Sequence, residues 1–286
     1  MTSYLVAEEV VDDLLDNSDG EAGSTVWSAV KPLSEALGGV KVISPIELGV
    51  DGLFLLPGDI RLSEFETDLN EFWSQCLQRK ARGFRGSTAI SSLIDRIASD
   101  YDIDYVLYDS GPNIGPLNRA ILLDCDYFIV PVAADLFSLR ALKTLGRTLV
   151  EWITSWETIA ELAPAETALL RGTPHFLGYI PQGFRVYGGE PTKRQAEYLE
   201  RIESEIHTQV VALLRDVDPK LVDSSLGDFR LGEVKNFGAL IPASQTEGSP
   251  IYSVETAGSP EQRAEAYQAL SEIAEAIDTR LSGSTG

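Results

Sequence analysis

The sequence predicts an α/β chain with a doubly wound, mostly parallel sheet and helices on both faces. Three observations carry that. Short apolar runs alternate with helix-patterned segments from residue 53 to 281. The runs at 104–108 (DYVLY), 127–132 (YFIVPV) and 176–180 (FLGYI) are rich in β-branched and aromatic residues, as in strands buried on both faces of a parallel sheet. The segment between the first two is just long enough for a right-handed crossover. No repeat and no long linker interrupts the chain, so residues 1–286 read as one domain.

In chain order, LFLLP (53–57) reads as a buried strand closed by proline. The helix at 63–78 opens with Ser63 and Glu66 at capping-box spacing, and Phe65, Leu69, Phe72, Trp73 and Cys76 follow a helical period. After the basic stretch RKARGFRG, a second helix at 88–99 buries Ile90, Leu93, Ile94 and Ile97. Strand 104–108 leads through a turn into a short helix near 117–124 and then strand 127–132. A helix over 137–156 carries Leu142, Leu145, Leu149, Trp152 and Trp156 on one side. Strand 176–180 precedes a loop and a helix bearing Tyr198, Ile202, Ile206 and Leu213. A last strand at 238–242 (GALIP) precedes a C-terminal helix with Ser259 as cap, Pro260 in its first turn and Gln262 three residues after the cap.

Composition narrows the function. With 44% hydrophobic and 23% charged residues, the chain reads as an ordinary globular protein, and no apolar run approaches the ~20 residues that span a bilayer. The acidic N-terminus lacks the pattern of a signal peptide, which predicts a cytoplasmic location. Cys76 and Cys125 give no disulfide framework, and His175 and His207 give no zinc constellation. A net charge of −21 repels DNA and anionic membranes, so any nucleic-acid contact needs a local basic patch. Arg79, Lys80, Arg82 and Arg85 cluster in one predicted loop. Arg140, Lys143 and Arg147 align on one helix face, and PTKRQ (191–195) is a weaker third group. A solvated loop and a solvated helix face are the commoner reason for such clusters.

In doubly wound sheets, ligands gather beyond the carboxyl ends of the strands, here 109–116, 133–136, 181–190 and 242–250. Asp109 stands at such a mouth. An aspartate there either holds a magnesium-bound water facing phosphates or serves as a turn or helix cap, and the tetrapeptide alone leaves both open.

The longer pattern DYVLYDSGPNIGPLNRAILLDCDYFIVPVAADLFSLRALKTL (104–145) resembles the Walker B and switch region of the ParA/MinD class of partition ATPases, which are deviant-Walker P-loop proteins. Asp109, Pro112, Gly115 and Pro131 match that pattern residue by residue. The stretches at 53–69, 176–186 and 240–254 resemble further parts of the family, so the likeness covers nearly the whole chain, although only 104–145 is specific. The wording DSGPNIGPLNRA is closer to a ParA-like branch than to MinD, and the polar C-terminus has no lysine-rich membrane-targeting helix.

The resemblance implies an ATPase that binds ATP and magnesium, dimerises around the nucleotide, binds DNA non-specifically and answers to a ParB-like adaptor in plasmid or chromosome segregation. It would be cytoplasmic or nucleoid-associated and would not engage membranes. Asp109 would orient magnesium, and the 110–115 loop, with Pro112, Asn113 and Gly115, would sense the γ-phosphate. Gln182 and Pro242 would lie near the base. Other deviant-Walker ATPases with non-DNA cargo share the pattern.

One departure is severe. No G-x-x-x-x-G-K-[ST] motif occurs in the 286 residues, and neither GFRGSTAISS (83–92) nor YGGEPTKRQ (187–195) has a lysine at the required spacing. The family's first βαβ unit, with its phosphate loop, is expected upstream of Met1-Thr2-Ser3, as though a longer chain had been cut or another chain supplied it. The chain as written is expected not to hydrolyse ATP. A nucleotide-incompetent regulatory or binding module is the competing expectation.

Overall fold

The computed structural model describes residues 2–283 except Pro112, Arg185, Gly188, Gly189 and Thr192. The chain forms two interleaved units. The first comprises 1–124, 156–172 and 244–250; the second comprises 125–155, 173–243 and 251–286.

The first unit is mainly helical. It contains α1 (Thr2–Leu5), α2 (Glu8–Asp16), α3 (Val26–Ser34), α4 (Leu62–Leu77), α5 (Ala81–Ser87), α6 (Ala89–Tyr101) and α7 (Pro116–Asp124). Helix α3 starts at a cap the pattern reading passed over. The Thr25 hydroxyl accepts from the Ser28 N–H at 3.2 Å, and the Thr25 N–H donates to Ser28 Oγ at 3.3 Å. Trp27, Val30, Phe65, Leu69, Phe72, Ala89, Ile90 and Ala120 form its main core, with Tyr108 and Leu117 packed against it.

Three expectations fail in this unit. The predicted strand 53–57 is reduced to β2 (Phe54–Leu55), which pairs antiparallel with β1 (Ile46–Glu47) rather than joining a parallel sheet. Helix α4 begins one residue before Ser63. The Asp59 carboxylate accepts from the Arg61 N–H at 2.8 Å, and the Ser63 hydroxyl donates back to the Ile60 carbonyl, so the Ser63–Glu66 box does not form. Residues 105–111 carry no regular secondary structure. The apolar run is there, but among the described residues no strand lies in ladder register beside it.

The second unit holds the parallel sheet, in the order β3 (Tyr127–Ala133), β4 (His175–Phe184), β7 (Val234–Lys235). Tyr127 pairs with His175 and Ala133 with Gln182, and Gln182 in turn pairs with Val234. Between them run α8 (Leu136–Ala160), whose last turn belongs to the first unit, the two-residue strands β5 (Val186–Tyr187) and β6 (Glu190–Pro191), α9 (Lys193–Ile206) and α10 (Ala212–Val217). A π-helical turn at His207–Val211 joins α9 to α10. A Cβ on Gly146 of α8 would come within 1.6 Å of the Gln209 carbonyl, so this close approach requires glycine.

Helix α11 (Leu240–Glu247) replaces the predicted strand 238–242. Gly238 takes φ +57, its N–H donates to the Asn236 side chain at 2.8 Å, and Pro242 falls in the first turn, where a missing N–H is tolerated. Helix α12 (Pro260–Gly283) starts as expected: the Ser259 N–H donates to Gln262 Oε1 at 3.0 Å, and the Gln262 N–H donates to Ser259 Oγ at 3.3 Å. At its far end the Arg280 guanidinium donates to the carbonyls of Leu177, Asp228, Phe229 and Arg230, binding the helix to the sheet. Helices therefore cover both sides of a parallel sheet, as the sequence predicts.

Candidate functional site

Asp109 lies in the first unit, exposed, at the end of the irregular run 105–109. The loop after it is held from α7. Asn118 is 5% exposed, and its Nδ2 donates to the Gly111 carbonyl at 2.6 Å and to the Asn113 carbonyl at 2.7 Å, with Asn113 Oδ1 at 3.0 Å. Asn113 Oδ1 also accepts from the Gly115 N–H at 3.1 Å, closing a turn. Gly115 lets the Glu66 side chain of α4 come close to the loop: a Cβ there would sit 2.5 Å from Glu66 Oε1. That carboxylate oxygen is buried and has no hydrogen-bond partner among the described residues.

Asp109, Asn113 and Gly115 thus share one loop, as predicted, while Pro112 lies outside the described residues. Sequence reading missed Asn118 and Glu66. Asn118 sits inside the quoted 104–145 pattern; only its burial on an otherwise apolar helix face marks it as a clamp. Glu66 was read as a capping residue.

Gln182 and Pro242 belong to the second unit, and neither is in the predicted loop. Strand β4 continues four residues beyond 180, so Gln182 is an exposed strand residue between β3 and β7. Pro242 is exposed in the first turn of α11. The resemblance placed both in base-binding loops, but ladder pairing and helix formation take up those segments instead.

The first basic cluster straddles the turn between α4 and α5 and the helix after it. Arg79 takes φ +60, Lys80 caps α5, and Arg82 and Arg85 lie on it. Gly83 and Gly86 allow α5 to press on α4: a Cβ at Gly83 would sit 2.6 Å from the Phe72 carbonyl, and one at Gly86 would be 2.2 Å from the Phe72 ring. That packing leaves all four cations exposed, with Arg82 lying 5.8 Å from the Phe72 ring centroid. Arg140, Lys143 and Arg147 are also exposed on α8, although Lys143 is 3.5 Å from Glu205, which offsets part of that face. In PTKRQ, Thr192 lies outside the described residues.

Among the described residues no group of three His, Cys, Asp or Glu converges as a metal site. A small cavity lined by Leu69, Trp73, Ser87, Pro116, Arg119, Ala120 and Leu170 holds about 10 Å³, room for one water at most. Among the described residues no helix is long and apolar enough to cross a membrane.

A family model described as an AAA domain matches residues 31–160, which includes Asp109 and the loop after it. No curated protein sequence matches. Among solved structures, protein DIP2308 from Corynebacterium diphtheriae is similar at 24% identity and a TM-score of 0.62, over 85% of this chain and 82% of that one. Apo McdA of Cyanothece is similar at 16% identity and a TM-score of 0.54, over 98% and 92% of the two chains. An aspartate-to-alanine variant of Cyanothece McdA in complex with ATP gives 16% identity and a TM-score of 0.51, over 94% and 90%. At these identities the likeness establishes the fold: this chain has the α/β architecture of those proteins.

Proposed function

We propose that this chain is a ParA-like relative of the partition ATPases whose 110–115 loop, headed by Asp109, is the nucleotide-sensing element, and that the 286-residue chain does not hydrolyse ATP by itself. The observation that carries the reading is the loop: Asp109 stands exposed at its head, and Asn118 holds the Gly111 and Asn113 carbonyls from a helix inside the AAA-domain match. The likeness to an ATP-bound McdA supports nucleotide as the ligand class.

Fit to magnesium–ATP is incomplete. Phosphates need a nest of backbone N–H groups and a lysine, and the described residues supply one exposed carboxylate and no such cradle. Magnesium accepts a carboxylate through water, so Asp109 would serve there, but no catalytic step is derived from these residues. Partner functions follow the same reading: dimerisation, a ParB-like adaptor, and weak DNA binding through Arg79, Lys80, Arg82 and Arg85, with Arg140 and Arg147 on the second unit. DNA affinity carried by these cations should fall steeply with salt, with a log–log slope near −0.9 per phosphate engaged.

The test is magnesium-dependent ATP turnover by the purified chain beside Asp109→Ala. The expected result is no turnover above background in either. Turnover that Asp109→Ala abolishes would overturn the inactivity and keep the site. A second reading, a nucleotide-incompetent binding module, is favoured by the exposed apolar residues just before Asp109, and folded chain without nucleotide affinity would select it.

A further inference from the structure

The turn held by Asn118 is short of hydrogen-bond donors. Asn118 Nδ2 carries two protons and faces three oxygens: the Gly111 carbonyl at 2.6 Å, the Asn113 carbonyl at 2.7 Å and Asn113 Oδ1 at 3.0 Å. The Gly115 N–H adds one proton, donated to Asn113 Oδ1 at 3.1 Å. Glu66 Oε1 of α4 brings a fourth oxygen, buried and without a partner among the described residues. Two protons and one make three, so four oxygens share three protons. Proline at 112 has no N–H and adds no backbone donor. Glu66 Oε1 and Asn113 Oδ1 lie 2.5 and 3.0 Å from the point where a Cβ on Gly115 would stand, so both acceptors face the same gap. An unmet buried acceptor weakens the arrangement that contains it, and more so when it is a carboxylate.

We infer that Glu66 is a positioning residue for this loop: its carboxylate keeps the 113–115 turn loosely set against α7 and ready to rearrange. An amide of the same shape at position 66 would instead supply the missing donor and lock the turn. The second arrangement is one in which an N–H of the turn passes from Asn113 Oδ1 to Glu66 Oε1. Gly115 makes that exchange possible, because no Cβ stands between the two oxygens. Local stability is lowest where backbone groups must change partners, and a loop that answers a ligand is drawn from that end of the range. That this looseness serves nucleotide sensing rests on the reading above. The donor shortage does not, since every group in it belongs to this chain.

The experiment is residue-level hydrogen exchange on the whole chain without nucleotide, for Glu66→Gln, Asn113→Ala and the double variant. Two amides report the turn: that of Gly115, and that of Arg119, which donates to the Gly115 carbonyl at 3.0 Å. In Glu66→Gln both should exchange more slowly, by about threefold to tenfold, the worth of one added hydrogen bond. With Asn113→Ala the oxygen facing position 66 is gone, so the same Glu66→Gln change should give no gain at Arg119. The amides of Leu177 and Tyr179 in β4 should keep their rates in every variant, which separates a locked turn from a general rise in stability. Unchanged or faster exchange in Glu66→Gln would overturn the inference, because the carboxylate would then be neutral to the turn or would be holding it. So would a gain that survives Asn113→Ala, or one that spreads equally to Leu177 and Tyr179. Because no readout uses nucleotide, failure here leaves the ATP reading standing, and a chain without ATP affinity leaves this inference standing.

Discussion

Two stretches of nearly the same chemistry end differently. Tyr127–Ala133 lies in a ladder against His175–Phe184, with Phe128 and Phe176 rings 5.3 Å apart and Phe229 5.5 Å from Phe176. Tyr105–Leu107, similarly apolar, stands exposed and has no ladder among the described residues. Strand composition therefore states that a segment fits a pleated, buried surface, while a neighbouring strand decides whether it gets one. The sheet in the second unit is closed over by α12 through Arg280, and the run in the first unit ends in an open edge and a clamped loop.

Substitutions on the two sides should separate cleanly. The largest effect belongs to Phe176→Ala, which empties the ring stack between β3 and β4 and should cost about 3–5 kcal/mol in urea unfolding. A midpoint within error of the unaltered chain would show that this sheet is not the more stable region.

The next effect is a pH dependence. Tyr179 of β4 is buried, and burial first, then the Glu203 and Asp228 charges, push its hydroxyl up to about 12. In the unfolded chain it ionises near ~10, so its contribution is complete below that and is lost as pH rises through the folded value. Stability should fall by roughly 2–3 kcal/mol across that window, and Tyr179→Phe should remove the fall. An identical alkaline slope in both proteins would mean other groups cause it.

Asn118→Ala should be milder in stability, about 1–2 kcal/mol, since it leaves the Gly111 and Asn113 carbonyls without their donor. Its specific signature is faster exchange at 109–115 with the β4 amides unchanged. Leu107→Ser is the smallest, within about 0.5 kcal/mol, although a leucine in a real core strand would cost several times that. A loss comparable to Phe176→Ala would mean that Leu107 is covered after all.

Legibility in the sequence follows the same division. Helices α4, α6, α8 and α12 were readable because their apolar period is set within one element, and Ser259 with Gln262 fixed a start locally. Strands β3 and β4 were readable because the partner exists. The 104–108 run was misread because composition does not report pairing. The 238–242 segment was misread because its β-like residues follow a Gly238 turn that aims them into a helix. The grouping of Asp109, Asn113 and Gly115 in one loop was readable from a contiguous pattern. Glu66 reaches the loop from α4, a tertiary contact that no local spacing encodes. The base-side residues Gln182 and Pro242 were assigned by order of elements alone, and the local structure of each turned out to be strand and helix.

The most direct measurement of this contrast is residue-level hydrogen exchange on the free chain. The amides of Tyr105, Val106 and Leu107 should exchange close to random-coil rates, while those of Leu177, Tyr179 and Ile180 should be slower by about a thousandfold or more. Equal protection of the two stretches would contradict the account, because the Asp109 edge would then already have its strand.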